Sequence, residues 1–182
     1  MFRVSTIVMR VVLLIAALFP VAASATALSH EEWITAFVRF VDWPTPSPDA
    51  TLTVCLQHDT PALELEGRQV RGLSLKVRRV VRARELSGCH VYAALASEEM
   101  YWARALKIIN HVINAAPAKA SPVLSIGQGA QFCDLGGTIC LVNDASTGVQ
   151  TYRLNLDALS RAGFRVDSQL LRSQPPRTAK AG

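Results

Sequence analysis

The sequence lacks the common signatures of a metal site or a catalytic nucleophile. Its four cysteines, Cys55, Cys89, Cys133 and Cys140, include no CxxC pair, so a zinc ribbon or thioredoxin-type motif is missing its basic unit. None of the four histidines, His30, His58, His90 and His111, falls in an HExxH, and His111 has no second ligand one helical turn on. His90, directly after Cys89, reads as a satisfied structural histidine. No serine occupies a GxSxG, so the strained turn of a nucleophile elbow is absent. Gly127-Gln128-Gly129 has no third glycine and reads as a turn. A hydrolase needs a nucleophile and a base that this chain does not offer. A non-enzyme without a cofactor is expected.

Acidic residues are missing from the first thirty positions, while Arg3 and Arg10 supply positive charge. The apolar run over 11–19, VVLLIAALF, is followed by Pro20 and the small residues Ala23-Ser24-Ala25-Thr26-Ala27. That order reads as a secretory signal peptide over 1–27, too short to span a membrane as a helix. The alternative is a retained N-terminal anchor. No later apolar run reaches membrane length. Removing two arginines and no acids lowers the formal charge from +5 to +3, too weak to argue for nucleic acid. About 155 residues remain, enough for one domain with its own core. An even cysteine count in an exported chain reads as two disulfides, with three connectivities open.

Along the remaining chain, Ser29 and Glu32 form a capping box. Trp33, Ile34, Phe37, Val38 and Val41 then recur at helical spacing, and Pro44, Pro46 and Pro48 stop the helix. Residues 52–56 read as a buried strand, and 58–72 are ambiguous between helix and loop. Leu73, Leu75, Val77 and Val80 outline a second strand, with Lys76, Arg78 and Arg79 mainly on its other side. Residues 91–95 make a third strand. Ser97 is expected to cap a long helix carrying Glu98 and Glu99 in its first turn and running to about Asn114. Further strands are expected over 122–127, 138–142 and 149–156, the last two around a turn over 143–148. Asn155 caps a short helix closing at Gly163. Residues 174–182 lack an apolar pattern and are expected to be a disordered tail. The alternation predicts a single α/β domain over 28–173, an open, mostly parallel sheet flanked by helices and stabilised by disulfides.

Residues 37–44, FVRFVDWP, resemble the aromatic FxxFxxWP signature of the YfiR-type periplasmic proteins. Three further features follow in that family's order: Gly88-Cys89-His90, Gly136-Gly137-Thr138-Ile139 after Phe132-Cys133, and the closing segment LNLDALSRAGFRVDSQLL over 154–171. The resemblance covers 32–172, with departures at Phe164, where leucine is usual, and at Asp167. It implies a periplasmic repressor that binds the periplasmic sensor region of an inner-membrane diguanylate cyclase and so lowers cyclic di-GMP and biofilm formation. An outer-membrane lipoprotein that relieves the inhibition and a homodimer are further implied partners. A periplasmic small-molecule sensor and an envelope scaffold are the competing readings.

Two groups of residues are candidates for contact with a partner or ligand. Trp33, Phe37, Phe40 and Trp43 supply aromatic area of the kind concentrated at interface hot spots; the plainer reading is packing of the first helix on the sheet. Arg78 and Arg79 belong to a run of seven basic residues, with Arg68, Arg71, Lys76, Arg82 and Arg84, uninterrupted by an acid. The plainer reading there is a solvated, charge-protected strand edge. The disulfide pairing expected is Cys55–Cys89 and Cys133–Cys140. The first would join two strands of one sheet, and the second flanks a glycine-containing reversal. The crossed pairings stay possible and ask more of the topology.

Overall fold

A computed structural model of the chain describes residues 28–43, 51–115 and 121–172. The expected signal segment, the tail and Pro44, Pro46 and Pro48 lie outside these residues. Helix α1, His30–Phe40, begins with the capping box: the Ser29 hydroxyl accepts the Glu32 N–H, and the Glu32 carboxylate accepts the Ser29 N–H. It ends earlier than the spacing predicts. Val41 leaves the helix for β1, Val41–Asp42, which pairs antiparallel with β9, Arg165–Val166. An apolar residue at that position satisfies a helical and an extended pattern equally well, and here the strand partner decides.

The main sheet runs β3-β4-β2-β5-β6-β7-β8. Its strands are β2, Thr51–Gln57; β3, Gln69–Val70; β4, Leu73–Val80; β5, Val91–Ala94; β6, Leu124–Gln128; β7, Ile139–Asn143; and β8, Gln150–Leu154. The five inner strands β4, β2, β5, β6 and β7 are parallel, and the outer β3 and β8 are antiparallel to their neighbours. The ambiguous segment before β4 is a loop closed by β3. Its two-residue turn places Arg71 (φ 51°) and Gly72 (φ 79°) in the left-handed region, as the tight turn between twisted strands demands.

Alternating side chains give the sheet two buried faces. Leu52, Val54 and Leu56 of β2 face one core with Ile34 and Phe37 of α1, Leu159 of α4 (Leu156–Arg161) and Leu170 of α5 (Ser168–Arg172). Cys55 and Tyr92 face the other core with Trp102, Leu106 and Ile109. These last three lie on α2, Glu99–Ile108, and on the π-helical turn Ile109–Ile113 that continues it. Wider winding there brings Asn114 against Val123, whose N–H and carbonyl both bond to the Asn114 amide at 2.8 and 3.1 Å. The helix therefore reaches Asn114 as expected, but not as one regular α-helix.

Its start also differs. Glu98 occupies the N-cap without a side-chain cap, and the Ser97 hydroxyl donates instead to Asp59 at 2.6 Å. The periodicity also misses three helical pieces: a 3-10 turn at Ala83–Leu86, α5, and α3 at Ala130–Asp134. Each has four or five residues, too few to show a period. Both disulfides, Cys55–Cys89 and Cys133–Cys140, are present with Cα separations of 5.8 Å.

Candidate functional surface

The four aromatics do not share one surface. Trp33 stacks on Phe37 at 5.6 Å between centroids, and both meet Tyr152 of β8 edge-on at 5.5 and 5.4 Å. The Trp33 indole donates to Gln150, and the Tyr152 hydroxyl donates to the Leu170 carbonyl. Trp33 and Phe37 are therefore buried, and they lock α1 to the far edge of the sheet. Phe40 and Trp43 are half-buried. Trp43 packs edge-on against Phe164 at 5.4 Å, at the position where leucine was expected, and its indole donates to the Val38 carbonyl at 3.4 Å. Trp43 also lines a groove of about 200 Å³ with Val38, Val41, Leu52, Leu73, Asp42 and Arg71. That is below the ~300–1,000 Å³ of a typical small-molecule site.

An α/β sheet of this order opens a crevice where successive connections run to opposite sides, beyond the carboxyl ends of β2 and β5. Here its own side chains fill it. The Leu95 N–H donates to the Thr60 hydroxyl, which donates to the Ala93 carbonyl. The Asp59 carboxylate accepts from Ser97 and from the Glu98 N–H. Ala96, at φ 57°, donates its N–H to Gln128. Below them the Tyr92 hydroxyl donates to Gln57 at 2.7 Å. Burial, with the charge of Asp59, pushes that hydroxyl far above its usual range, so it stays a donor. These contacts occupy the place where a ligand of the sensor reading would sit.

The basic run is more structured than a solvated face. Arg78 donates to the Glu85 and Ser87 carbonyls at 2.9 and 2.7 Å, with the same nitrogen 3.2 Å from Cys89 Sγ. It pins the loop that carries Cys89 to Cys55. Arg79 donates to the His58 and Thr60 carbonyls at 2.9 and 2.7 Å, and Arg71 to the Arg39 carbonyl at 2.8 Å. Arg78 and Arg79 both keep exposed surface. Two carboxylates that sequence reasoning passed over also shape this edge. Glu66 accepts the Val77 N–H at 2.5 Å, and Glu85 accepts those of Val81 and Arg82 at 2.9 and 3.2 Å. The two amides, with the charges of Arg82 and Arg84, hold the Glu85 carboxyl below its ordinary value.

His90 extends the pairing of β2 with β5. Its N–H donates to the Thr53 carbonyl at 2.9 Å, and its Nδ1 accepts the Thr53 N–H at 3.0 Å. Burial pushes its pKa below 6.5. The unfolded chain then takes a proton at a pH where the folded chain does not. Stability is full above about pH 6.5 and falls as pH drops through that value toward the folded pKa. The lowered carboxyls of Glu31, Glu85 and Asp144 act only in more acid solution. The urea midpoint should fall between about pH 7.5 and 5.5, and His90→Asn, which keeps an acceptor without the charge, should flatten that fall. A wild-type midpoint constant over this window would remove His90 from the account.

Among the described residues, no group of three or more His, Cys, Asp or Glu side chains is placed to hold a metal ion. No described helix is long and apolar enough to cross a membrane. A family model described as YfiR/HmsC-like matches residues 29–173, from the capping serine to just beyond α5. No curated protein matches the chain.

Proposed function

Because the chain belongs to the YfiR/HmsC-like family, we propose that it is a periplasmic regulator acting through protein binding: it represses an inner-membrane diguanylate cyclase by engaging the enzyme's periplasmic sensor region. The observation that carries this reading is the extent of the match, which takes in the whole described domain rather than one motif. Two disulfides suit an oxidising envelope compartment. The chemistry available on the surface is that of recognition: exposed guanidinium groups at Arg78 and Arg79 and half-buried rings at Phe40 and Trp43. Trp33 and Phe37 serve the core and support binding only by holding α1 in place. The filled crevice beyond β2 and β5 weighs against the small-molecule sensor.

Deleting the gene in a strain that expresses its cognate cyclase should raise cyclic di-GMP and surface attachment. Cyclic di-GMP measured by mass spectrometry before and after deletion decides this. An unchanged level overturns the repressor reading.

A further inference from the structure

We propose that the outer edge of β4 is the docking site for an extended acidic segment of the protein partner, taken up by strand addition; the inference rests on the repressor reading and names its contact surface. β4 is the last long strand on its side of the sheet, and β3 covers only its beginning. Gln69 and Val70 pair with Ser74 and Leu73. The Gly67 N–H then donates to the Leu75 carbonyl, and the Leu75 N–H donates to the Arg68 carbonyl, at 2.8 and 2.9 Å. Backbone groups alternate along a strand, so those facing outward after Leu75 belong to Val77 and Arg79. Beyond Leu75, carboxylates stand where a neighbouring strand would be. Glu66 holds the Val77 N–H, and Glu85 holds those of Val81 and Arg82. Between them, among the described residues, the Val77 carbonyl and the N–H and carbonyl of Arg79 have no strand partner. They form a short open edge bracketed by two sites already shown to accept carboxylates.

The side chains around this edge give it a sign. Lys76, Arg82 and Arg84 are exposed beside it and outnumber the carboxylates of Glu66 and Glu85, and Val81, 63 % exposed at its end, offers an apolar anchor. Positive charge on an edge strand disfavours uncharged strands, whose pairing would desolvate it, and repels basic ones, yet it selects a strand carrying acids. Main-chain bonds supply affinity in such additions, and side chains supply the choice of partner. Anionic lipid would meet the same cations but make no use of the open backbone groups.

The test uses the mature, oxidised protein, isotope-labelled, titrated with the capped peptide Glu-Val-Glu-Val-Glu-Val-Glu and with its lysine counterpart. The acidic peptide should slow exchange of the Arg79 amide and shift signals from Val77 to Arg82, and it should bind at least about tenfold more weakly when salt rises from about 50 to 300 mM. The lysine peptide should not bind. Lys76→Glu, Arg82→Glu and Arg84→Glu together should abolish binding while amide signals away from this edge keep their folded positions, and Lys76→Glu alone should weaken it at an unchanged melting temperature. Shifts elsewhere, equal binding of the lysine peptide, or binding only to anionic vesicles overturns the proposal. Membrane pull-down separates the two ideas. Wild-type capture of the cyclase by the triple variant refutes this surface while leaving the repressor reading intact. If the wild-type domain captures no cyclase, that reading fails, and the peptide titration still decides the edge.

Discussion

Phe132→Ala should lower folding stability by about 3–5 kcal/mol, and Gly137→Ala by about 1–3 kcal/mol, because the ring and the glycine are two halves of one fit. Phe132 is fully buried on α3 and packs against Trp102 at 5.1 Å between centroids. Its ring lies between Gly127 at the end of β6 and Gly137 before β7. A methyl group at either glycine would overlap the ring, and at Gly137 it would also come within 2.7 Å of the Phe132 carbonyl oxygen. The ring cannot retreat from one glycine without meeting the other. Gly137 further donates its N–H to that carbonyl at 2.8 Å, so the backbone there has little room to move. Melting temperature should fall by about 2–4 °C per kcal/mol in a domain of this size. The coupling has its own signature: Phe132→Leu, which costs stability alone, should cost less in the Gly137→Ala background. Strictly additive effects, or an unchanged midpoint for Gly137→Ala, would refute this account.

Cys55→Ser should cost about 3–4 kcal/mol and Cys140→Ser about 2–3 kcal/mol, from the chain entropy each loop restrains. The bridges close sequence separations of 34 and 7 residues. The first has a mechanical backup, since Arg78 already ties the Glu85 and Ser87 carbonyls to β4 and so holds Cys89 near Cys55 without the bond. Cys55→Ser is therefore expected at the lower end of its range, and Arg78→Ala combined with it should lose more than the two single effects added together. Urea titration of the four proteins measures this, and thiol titration after unfolding should find one new thiol in each cysteine variant. A larger loss for Cys140→Ser than for Cys55→Ser would show that loop length does not govern here.

The sequence was readable where a local rule is enough. Ser29 and Glu32 mark the start of α1 because a capping box lies within four residues, and Asn155 marks α4 for the same reason: its side chain accepts the Ala158 N–H. The strands β2, β5, β6 and β7 were readable as short apolar runs, since most of their residues on both faces are buried, and β4 by its alternation of apolar and basic residues. Where the deciding partner lies far along the chain, the pattern misleads. Val41 fits a helical stripe, and only Val166, its cross-strand partner, makes it extended. Ser97 has the side chain of a cap, but Asp59 competes for it across the crevice. The aromatic set read ambiguously because spacing shows that Trp33 and Phe37 share a face without showing that Tyr152 occupies it. Glu66 and Glu85 carried no signal, because a carboxylate that stands in for a strand has no sequence pattern. The cysteine pairing, by contrast, followed from placing Cys55 inside the first strand and Cys89 at the entry to the third, two segments of one sheet.

The way α1 is held sets the order in which the molecule can be built. Trp33 and Phe37 rest on Tyr152, Tyr152 bonds to Leu170, and Val41 pairs with Val166. A chain made from its N-terminus therefore produces its most aromatic helix first and the surface that covers it last. Contacts so distant along the chain slow folding and leave apolar surface uncovered while synthesis or transport is unfinished. This domain should consequently depend on a holding chaperone until the segment from β8 to α5 has arrived, and a chain truncated before α5 should aggregate rather than persist as a shortened regulator.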